Sequence, residues 1–265
     1  MLKSLKKFIA ILIYVLHKKL HKYFAFIDGP TLDSHSGNYE WIYSNLKNKN
    51  IDLSHKTLIE IGSLNALDTL HVLQRFDFKN AIIFEPAHSS IKRTIGNIEK
   101  NKEISSKILF FPIALGSYIG ETSFFEPTDE GYKLDKAPNY GSSSVYKKQD
   151  SNPYKYRVPI FSLDSILENL KIDPFLIIMD AEDSELEILK GATNTLHKVE
   201  YICLEAGYNT QRVNTNAKDI VDFLITQDFN LIDNDWPNTN SEELPADNGE
   251  KKVFCLLFQK NLKIN

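Results

Sequence analysis

Residues 174–192, PFLIIMDAEDSELEILKGA, decide how the rest of the chain is read. They open on an apolar run, 175–179, of strand length and rich in branched side chains. Three acids follow within four residues: Asp180, Glu182 and Asp183. The pattern then turns helical. Leu186, Leu189, Ala192 and Leu196 recur at helical spacing, and Ser184 with Glu187 spells an S-x-x-E capping box. A buried strand ending in clustered carboxylates is costly unless the charges serve a site, because unpaired buried acids lose solvation. The alternative is a solvated turn whose acids complement the dipole of the helix they precede. This stretch alone leaves both readings open.

Working outward, the same strand–helix alternation covers most of the chain. Residues 57–62 (TLIEIG), 81–86 (AIIFEP) and 108–115 (ILFFPIAL) read as strands, separated by helical patterns over 68–76 and 89–101. Residues 122–126 (TSFFE) read as a hairpin arm. After a helix over 162–170 comes the opening stretch, read as a strand over 175–180 and a helix over 184–196. A strand at 201–206, a helix at 215–227 and a strand at 230–233 follow. A polar loop over 234–251, which contains Trp236, leads to a last strand at 253–259. This order implies an α/β fold with a doubly wound, mostly parallel seven-stranded sheet covered on both faces. The last two strands are joined by a loop without a helix, so they must run antiparallel. Such a closing hairpin is similar to that of class I methyltransferase sheets, and dinucleotide dehydrogenases lack it.

The alternation stops over about 127–160. This segment has four prolines, the run Gly141-Ser142-Ser143-Ser144, and five tyrosines between Tyr132 and Tyr156. Disordered segments are poor in aromatics, so it reads as an ordered functional loop inserted in the domain; a variable surface insertion is the alternative. The organisation expected is a basic helical extension over 1–50, with a short helix around 39–47, and one domain over 51–265.

The charge is uneven. Residues 1–27 hold six lysines and no acid, so a net charge of −4 leaves −10 for the remainder. A body that acidic is a poor nucleic-acid binder, because phosphate contacts need a basic surface. Within the extension, the apolar run 8–16 is too short to span a bilayer, and His17, Lys18 and Lys19 follow it where a cleavage site would need small residues. Residues 1–24 read either as a basic helix on an anionic membrane surface or as a helix packed on the body or a partner. Cys203 and Cys255 lie in apolar runs and read as free thiols of a reducing compartment. The expected location is cytoplasmic, with peripheral contact to the inner face of a membrane as its extension.

In open α/β sheets, ligands sit beyond the carboxyl ends of the strands where the strand order reverses. Those ends read Glu60-Ile61-Gly62, Glu85-Pro86, Ala114-Leu115-Gly116, Asp180-Ala181-Glu182 and Glu205-Ala206-Gly207. Gly62 lets backbone approach a ligand closely, and Glu85 is placed to accept the hydroxyls of a ribose. The first loop, Gly62-Ser63-Leu64-Asn65-Ala66-Leu67-Asp68, lacks the G-x-G-x-x-G that cradles a pyrophosphate. An acidic rim without that fingerprint suits a cofactor with a positive centre and no phosphate. S-adenosylmethionine, with its sulfonium, ribose and amino acid tail, meets that description. No metal ligand set is read from the histidines or cysteines.

At this point the residues resemble the FkbM-type methyltransferases over about 57–206. Glu60-Ile61-Gly62 matches the first motif of that family, Phe84-Glu85-Pro86 the second, and Ile113-Ala114-Leu115-Gly116 with Gly120 the third. Gly141-Ser142-Ser143-Ser144 matches the serine motif, Val158-Pro159 with Leu163-Asp164 the segment before the fourth strand, and Leu204-Glu205 the acid closing the fifth. The opening stretch follows the family pattern I-D-V-E-G-x-E-x-x-x-L-K-G-A, with Asp183 in place of its glycine. The first loop has Leu64-Asn65-Ala66 where many members read A-N-x-G. The resemblance implies S-adenosylmethionine held by Glu60, Gly62, Ser63, Asn65, Asp68, Glu85, Pro86 and Ala114. It implies O-methylation of a hydroxyl on a glycan, glycolipid or related surface-polysaccharide precursor. Asp180, then Glu182 and Glu205, are the candidate general bases, and the tyrosine-rich loop and Trp236 would face the acceptor. The alternatives are metal-assisted methylation of a small acceptor, and a degenerate cofactor-binding domain acting as an interaction module.

Overall fold

The computed structural model describes residues 42, 51–126, 143–147, 153–170, 172, 174–208, 216–236, 239–240, 242–250 and 252–261. Except for Ile42, the expected extension over 1–50 and its short helix lie outside them. Ile42 is helical and fully buried in the core.

The chain runs β1 (Thr57–Ile61), α1 (Leu67–Arg75), β2 (Asn80–Phe84), α2 (His88–Lys100), α3 (Lys102–Ser105) and β3 (Ile108–Phe111). Next come β4 (Ala114–Leu115), β5 (Gly120–Glu126), β6 (Tyr154–Phe161) and α4 (Leu163–Leu170). The second half is β7 (Pro174–Met179), α5 (Glu185–Lys190), α6 (Thr193–Leu196), β8 (Tyr201–Tyr208), α7 (Ala217–Thr226), β9 (Phe229–Asn234) and β10 (Lys252–Lys260).

Seven strands form one sheet in the order β3-β2-β1-β7-β8-β10-β9. β1, β2, β3, β7 and β8 are parallel, while β10 runs antiparallel to both β8 and β9. The closing hairpin therefore inserts its second strand between β8 and β9. Strand order reverses between β1 and β7, which lie side by side although the sequence places five strands between them.

Every residue of β1 and of β7 is buried, as expected for parallel strands with helices on both faces. Alternate residues go to opposite sides. Ile59, Ile61, Ile177 and Met179 pack with Leu163, Leu189 and Leu224, from α4, α5 and α7. Leu58, Leu176 and Ile178 pack with Leu70 and Leu73 of α1. Fully burying each of these side chains contributes roughly 1.5–3 kcal/mol, and this two-sided core holds the strand ends in register.

The structure corrects four local readings. Residues 108–115 are not one strand: β3 ends at Phe111, and Ala114–Leu115 leave the main sheet to pair with β6. The inserted segment is not all loop, because β6 is the central strand of a second, three-stranded sheet in the order β4-β6-β5. Its inward alternation, Val158 and Ile160 buried between exposed Arg157 and Pro159, was masked by the proline. Pro159 is tolerated because it faces only Glu121 of β5, one residue before pairing with β4 begins. The helix expected over 184–196 breaks into α5 and α6 at Gly191, where a β-carbon would lie 2.0 Å from the carbonyl oxygen of Gly116. The Ser184–Glu187 capping box is not made, since Ser184 holds the N-cap position without a side-chain cap bond.

Candidate active site

The main cleft of the described residues opens over the carboxyl ends of β1, β2, β4 and β7, at the reversal in strand order. One end is apolar and the other acidic. Phe84, Pro86, Ile113, Ala114, Phe124 and Val145 line the first; Asp180, Glu182 and Ser184 line the second, with Gly62 and Glu85 also on the wall.

The β1 end is shaped by a close backbone approach. Gly62 has φ +83°, and a β-carbon there would lie 1.7 Å from the carbonyl oxygen of Asp180. Only glycine fits both the dihedral and the space. The Gly62 amide donates to the Phe84 carbonyl (2.9 Å), and the Asp180 amide donates to the Ile61 carbonyl (2.9 Å), so the three strand ends are tied together. Leu64 and Ala66 both have left-handed φ, 54° and 63°. Ala66 thus adopts, with a side chain, a conformation that glycine would favour.

Glu85 is buried, and each carboxylate oxygen accepts one backbone amide: Oε1 from Ala87 and Oε2 from Leu64, both at 2.8 Å. Burial pushes its pKa up to about 7 against the opposing pull of those two amides. The carboxylate is therefore fixed in direction, with a further lone pair on each oxygen for a ligand hydroxyl.

At the β7 end, Glu182 and Asp183 both take left-handed dihedrals, φ 51° and 74°. Asparagine and aspartate tolerate that region better than most residues, so Asp183 preserves a turn that the family pattern makes with glycine. The turn is clamped from above by the serine motif. Ser144 is buried, its hydroxyl donates to the Glu182 carbonyl (2.7 Å) and accepts the Tyr146 amide (3.1 Å), and it bridges Phe125 of β5. Asp180 Oδ1 is buried with no hydrogen-bond partner among the described residues. Burial, reinforced by the nearby Glu205 and Glu182 carboxylates, raises the Asp180 pKa well above the usual range.

The expected site residues divide. Gly62, Glu85, Pro86, Ala114, Asp180 and Glu182 line the cleft. Glu60, Ser63, Asn65 and Asp68 do not. Glu60 points to the α1 face of the sheet, where it accepts a hydrogen bond from Thr69, and burial beside Asp68 raises its pKa well above the usual range. Ser63 is buried beneath the loop, Asn65 caps the Leu67 amide (3.0 Å), and Asp68 sits in the first turn of α1. Glu205 lines a smaller adjoining depression with Asp183 and Glu185, and burial beside Glu182 pushes its pKa up to about 7. Trp236 packs edge-on against Phe254, ring centroids 5.9 Å apart, and does not line the cleft. Of the five tyrosines, Tyr132 and Tyr140 lie outside the described residues. Tyr156 stacks on His88 at 3.9 Å, accepts the His88 amide (2.9 Å) and donates to Glu126, which fixes the start of α2.

Sequence reading missed Glu185. Its carboxylate is buried and accepts the Ala181 amide (2.7 Å), and burial drives its pKa up to about 8. The only signal was its place in the family pattern. It also missed the cleft wall built from Phe124 and Val145, which the second sheet brings in. Among the described residues, no group of three or more histidines, cysteines or acids is arranged to hold a metal, and both cysteines are free.

The family model described as "Methyltransferase FkbM domain" matches residues 60–231. The chain belongs to the FkbM methyltransferase family. No curated protein matches it. Among solved structures, a methyltransferase FkbM from Methylobacillus flagellatus KT shares 16% identity at a TM-score of 0.52, covering 89% of this chain and 50% of that one. The likeness is one of fold, and this FkbM-family chain spans half the length of that protein. Lower likenesses are to TrmK of M. capricolum, solved with S-adenosyl-homocysteine (11% identity, TM-score 0.43, 82% and 67% covered), and to precorrin-6y C5,15-methyltransferase of Geobacter metallireducens GS-15 (11%, 0.43, 89% and 95%). The seven-stranded sheet of this chain has the Rossmann-like fold of class I methyltransferases, and a second small sheet roofs its cleft.

Proposed function

We propose that this methyltransferase uses S-adenosylmethionine to methylate a hydroxyl of a glycan, glycolipid or similar surface-polysaccharide precursor. The observation that carries the cofactor is the polarity of the cleft: an apolar end for a flat base, a fixed Glu85 carboxylate at its edge, and the Asp180 and Glu182 carboxyls at the far end. The residues present fit the group. Glu85 is fixed in direction on the cleft wall by two backbone amides, and the buried Asp180 Oδ1 lacks a protein partner among the described residues.

When bound, the cofactor supplies a methyl group on a cationic sulfur. The residues of the chain do the rest. Glu85 accepts ribose hydroxyls, and Ile113, Ala114 and Phe124 enclose the base. Asp180 takes the proton from the acceptor hydroxyl at Oδ1 as the oxygen is alkylated, and Glu182 and Glu205 tune its charge. Holding the reactants in line is worth roughly 7–11 kcal/mol of the barrier, and a general base adds roughly 10²–10⁴-fold. Support for a saccharide acceptor comes from the family resemblance.

A thermal shift with S-adenosyl-homocysteine tests the cofactor. At 100 times its dissociation constant the ligand should stabilise the protein by about 2.7 kcal/mol. The absence of any shift would reject the assignment.

We further propose that residues 1–24 place the protein on an anionic membrane surface, for which their lysines, each worth about 1 kcal/mol near such a surface, and the apolar run 8–16 give the support. Vesicles rich in anionic lipid should retain the full chain better than a chain starting at Asp28. Equal retention rejects this placement. Among the described residues no helix is long and apolar enough to cross a membrane.

A further inference from the structure

The turn between β4 and β5 carries two large side chains into solvent: Tyr118 is 50% exposed and Ile119 61%. The backbone beneath them is pinned. The Gly116 amide donates to the Phe161 carbonyl (3.0 Å), and the Ser117 hydroxyl donates to Glu187 Oε2 on α5 (2.8 Å). Gly116 also abuts the break between α5 and α6, where its carbonyl oxygen would be 2.0 Å from a β-carbon on Gly191. The Tyr118 ring folds back over Gly120, 3.6 Å from where a β-carbon would stand. Side chains on so constrained a turn do not retreat into the core.

Tyr146 reaches the same side of α5 from the serine segment. Its amide donates to the Ser144 hydroxyl (3.1 Å), which itself donates to the Glu182 carbonyl (2.7 Å), and its neighbour Val145 lines the cleft. The Tyr146 side chain is half-buried, and its hydroxyl makes no hydrogen bond among the described residues. Burial, with Glu187, Tyr118 and Glu185 close by, raises its pKa. Both tyrosines therefore stand beside the start of α5, next to the end of the cleft that Asp180 and Glu182 line. Single exposed apolar side chains are ordinary, but here an exposed Tyr-Ile pair and an accessible tyrosine meet at the lip of the candidate active site.

An acceptor whose hydroxyl reaches Asp180 has the rest of its body over this lip. A pyranose ring has a face of C–H bonds and a rim of hydroxyls, and tyrosine matches it with an apolar face and a polar tip. We infer that Tyr118, Ile119 and Tyr146 form the platform on which the sugar ring of the acceptor stacks, and so select a cyclic saccharide. This rests on the reading of the acceptor as a glycan and adds the residues that hold its ring. Two of the three, Tyr118 and Ile119, lie outside the tyrosine-rich segment.

Saturation-transfer NMR on the full chain, with S-adenosyl-homocysteine present, tests the platform. The probes are the methyl pyranosides of glucose, galactose and mannose; the control is sorbitol, which has the hydroxyls but no ring face. Ring protons of at least one pyranoside should receive saturation, and sorbitol should receive none. Tyr118→Ala and Tyr146→Ala should each weaken that pyranoside about fivefold, as for the loss of one aromatic contact. Tyr118→Phe and Tyr146→Phe, which keep the ring, should bind it as the wild type does. All four variants should keep the wild-type affinity for S-adenosyl-homocysteine. Pyranoside binding that survives both alanine variants overturns the inference and leaves the saccharide reading standing. No transfer to any pyranoside in the wild type overturns both. Alanine variants that lose S-adenosyl-homocysteine along with the pyranoside also overturn the inference, because the tyrosines then support the cleft as a whole.

Discussion

The carbonyl oxygen of Asp180 occupies the space where a β-carbon on Gly62 would project, 1.7 Å from it. The end of β1 and the end of β7 are therefore in backbone contact, and the candidate base is held against the first turn. Replacing Gly62 by alanine must push the two strand ends apart or unwind a φ of +83°. The expected loss is about 4 kcal/mol, at the upper end of single-residue effects, with cofactor binding lost as well. Denaturant titration measures it, and a Gly62→Ala protein of wild-type stability would contradict the geometry.

Asp180→Asn keeps the size and the backbone contacts of the side chain but removes its basicity. Turnover should fall by about 10²–10⁴-fold with S-adenosyl-homocysteine affinity little changed. Because burial and neighbouring carboxylates raise the Asp180 pKa and the ionised form is the base, kcat/KM in the wild type should climb with pH over an alkaline-shifted limb. Undiminished turnover in Asp180→Asn would remove Asp180 from the mechanism.

Stability should fall as pH rises, the reverse of a protein whose carboxylates are salt-bridged. Glu85 and Glu185 have pKa values of about 7 and about 8, against 4.5 for the free side chain. Between those values the folded state binds more protons than the unfolded state, so folding is favoured below pH 4.5 and that contribution is lost up to pH 8. Melting points recorded across this window should decline, and Glu185→Gln, which still accepts the Ala181 amide, should decline less steeply. A flat profile would mean that these carboxyls are solvated.

Asp183 tests the turn. At φ 74° a β-branched residue is strained, so Asp183→Val should cost about 1–2 kcal/mol, whereas Asp183→Gly should stay within about 1 kcal/mol of the wild type. Chemical denaturation of both variants checks the pair; a valine variant as stable as the glycine variant would show that the turn relaxes.

Much of the fold was legible because each parallel strand is buried on both faces and so appears as a short apolar run, TLIEI or PFLIIM, bounded by turns. The closing hairpin follows from the missing helix before β10, whereas the reversal between β1 and β7 came only with the strand pairing. The same periodicity hid the second sheet. Its strands are short, one carries Pro159, and their apolar side chains close over the cleft rather than into a domain core.

The sequence by itself placed Gly62, Glu85 and Asp180 at strand ends on one edge of the sheet, because in a parallel sheet every carboxyl end falls on one edge. Only the tertiary structure decided which acids share a cleft. Glu60 lies two residues from Gly62, but strand alternation turns it under α1, away from the cleft. Ser184 and Glu187 have the spacing of a cap, but Ser117 and Lys190 hold Glu187 elsewhere and leave the serine buried without a cap bond. Local spacing states which pairs can meet; the packing of distant segments around them settles which pairs do.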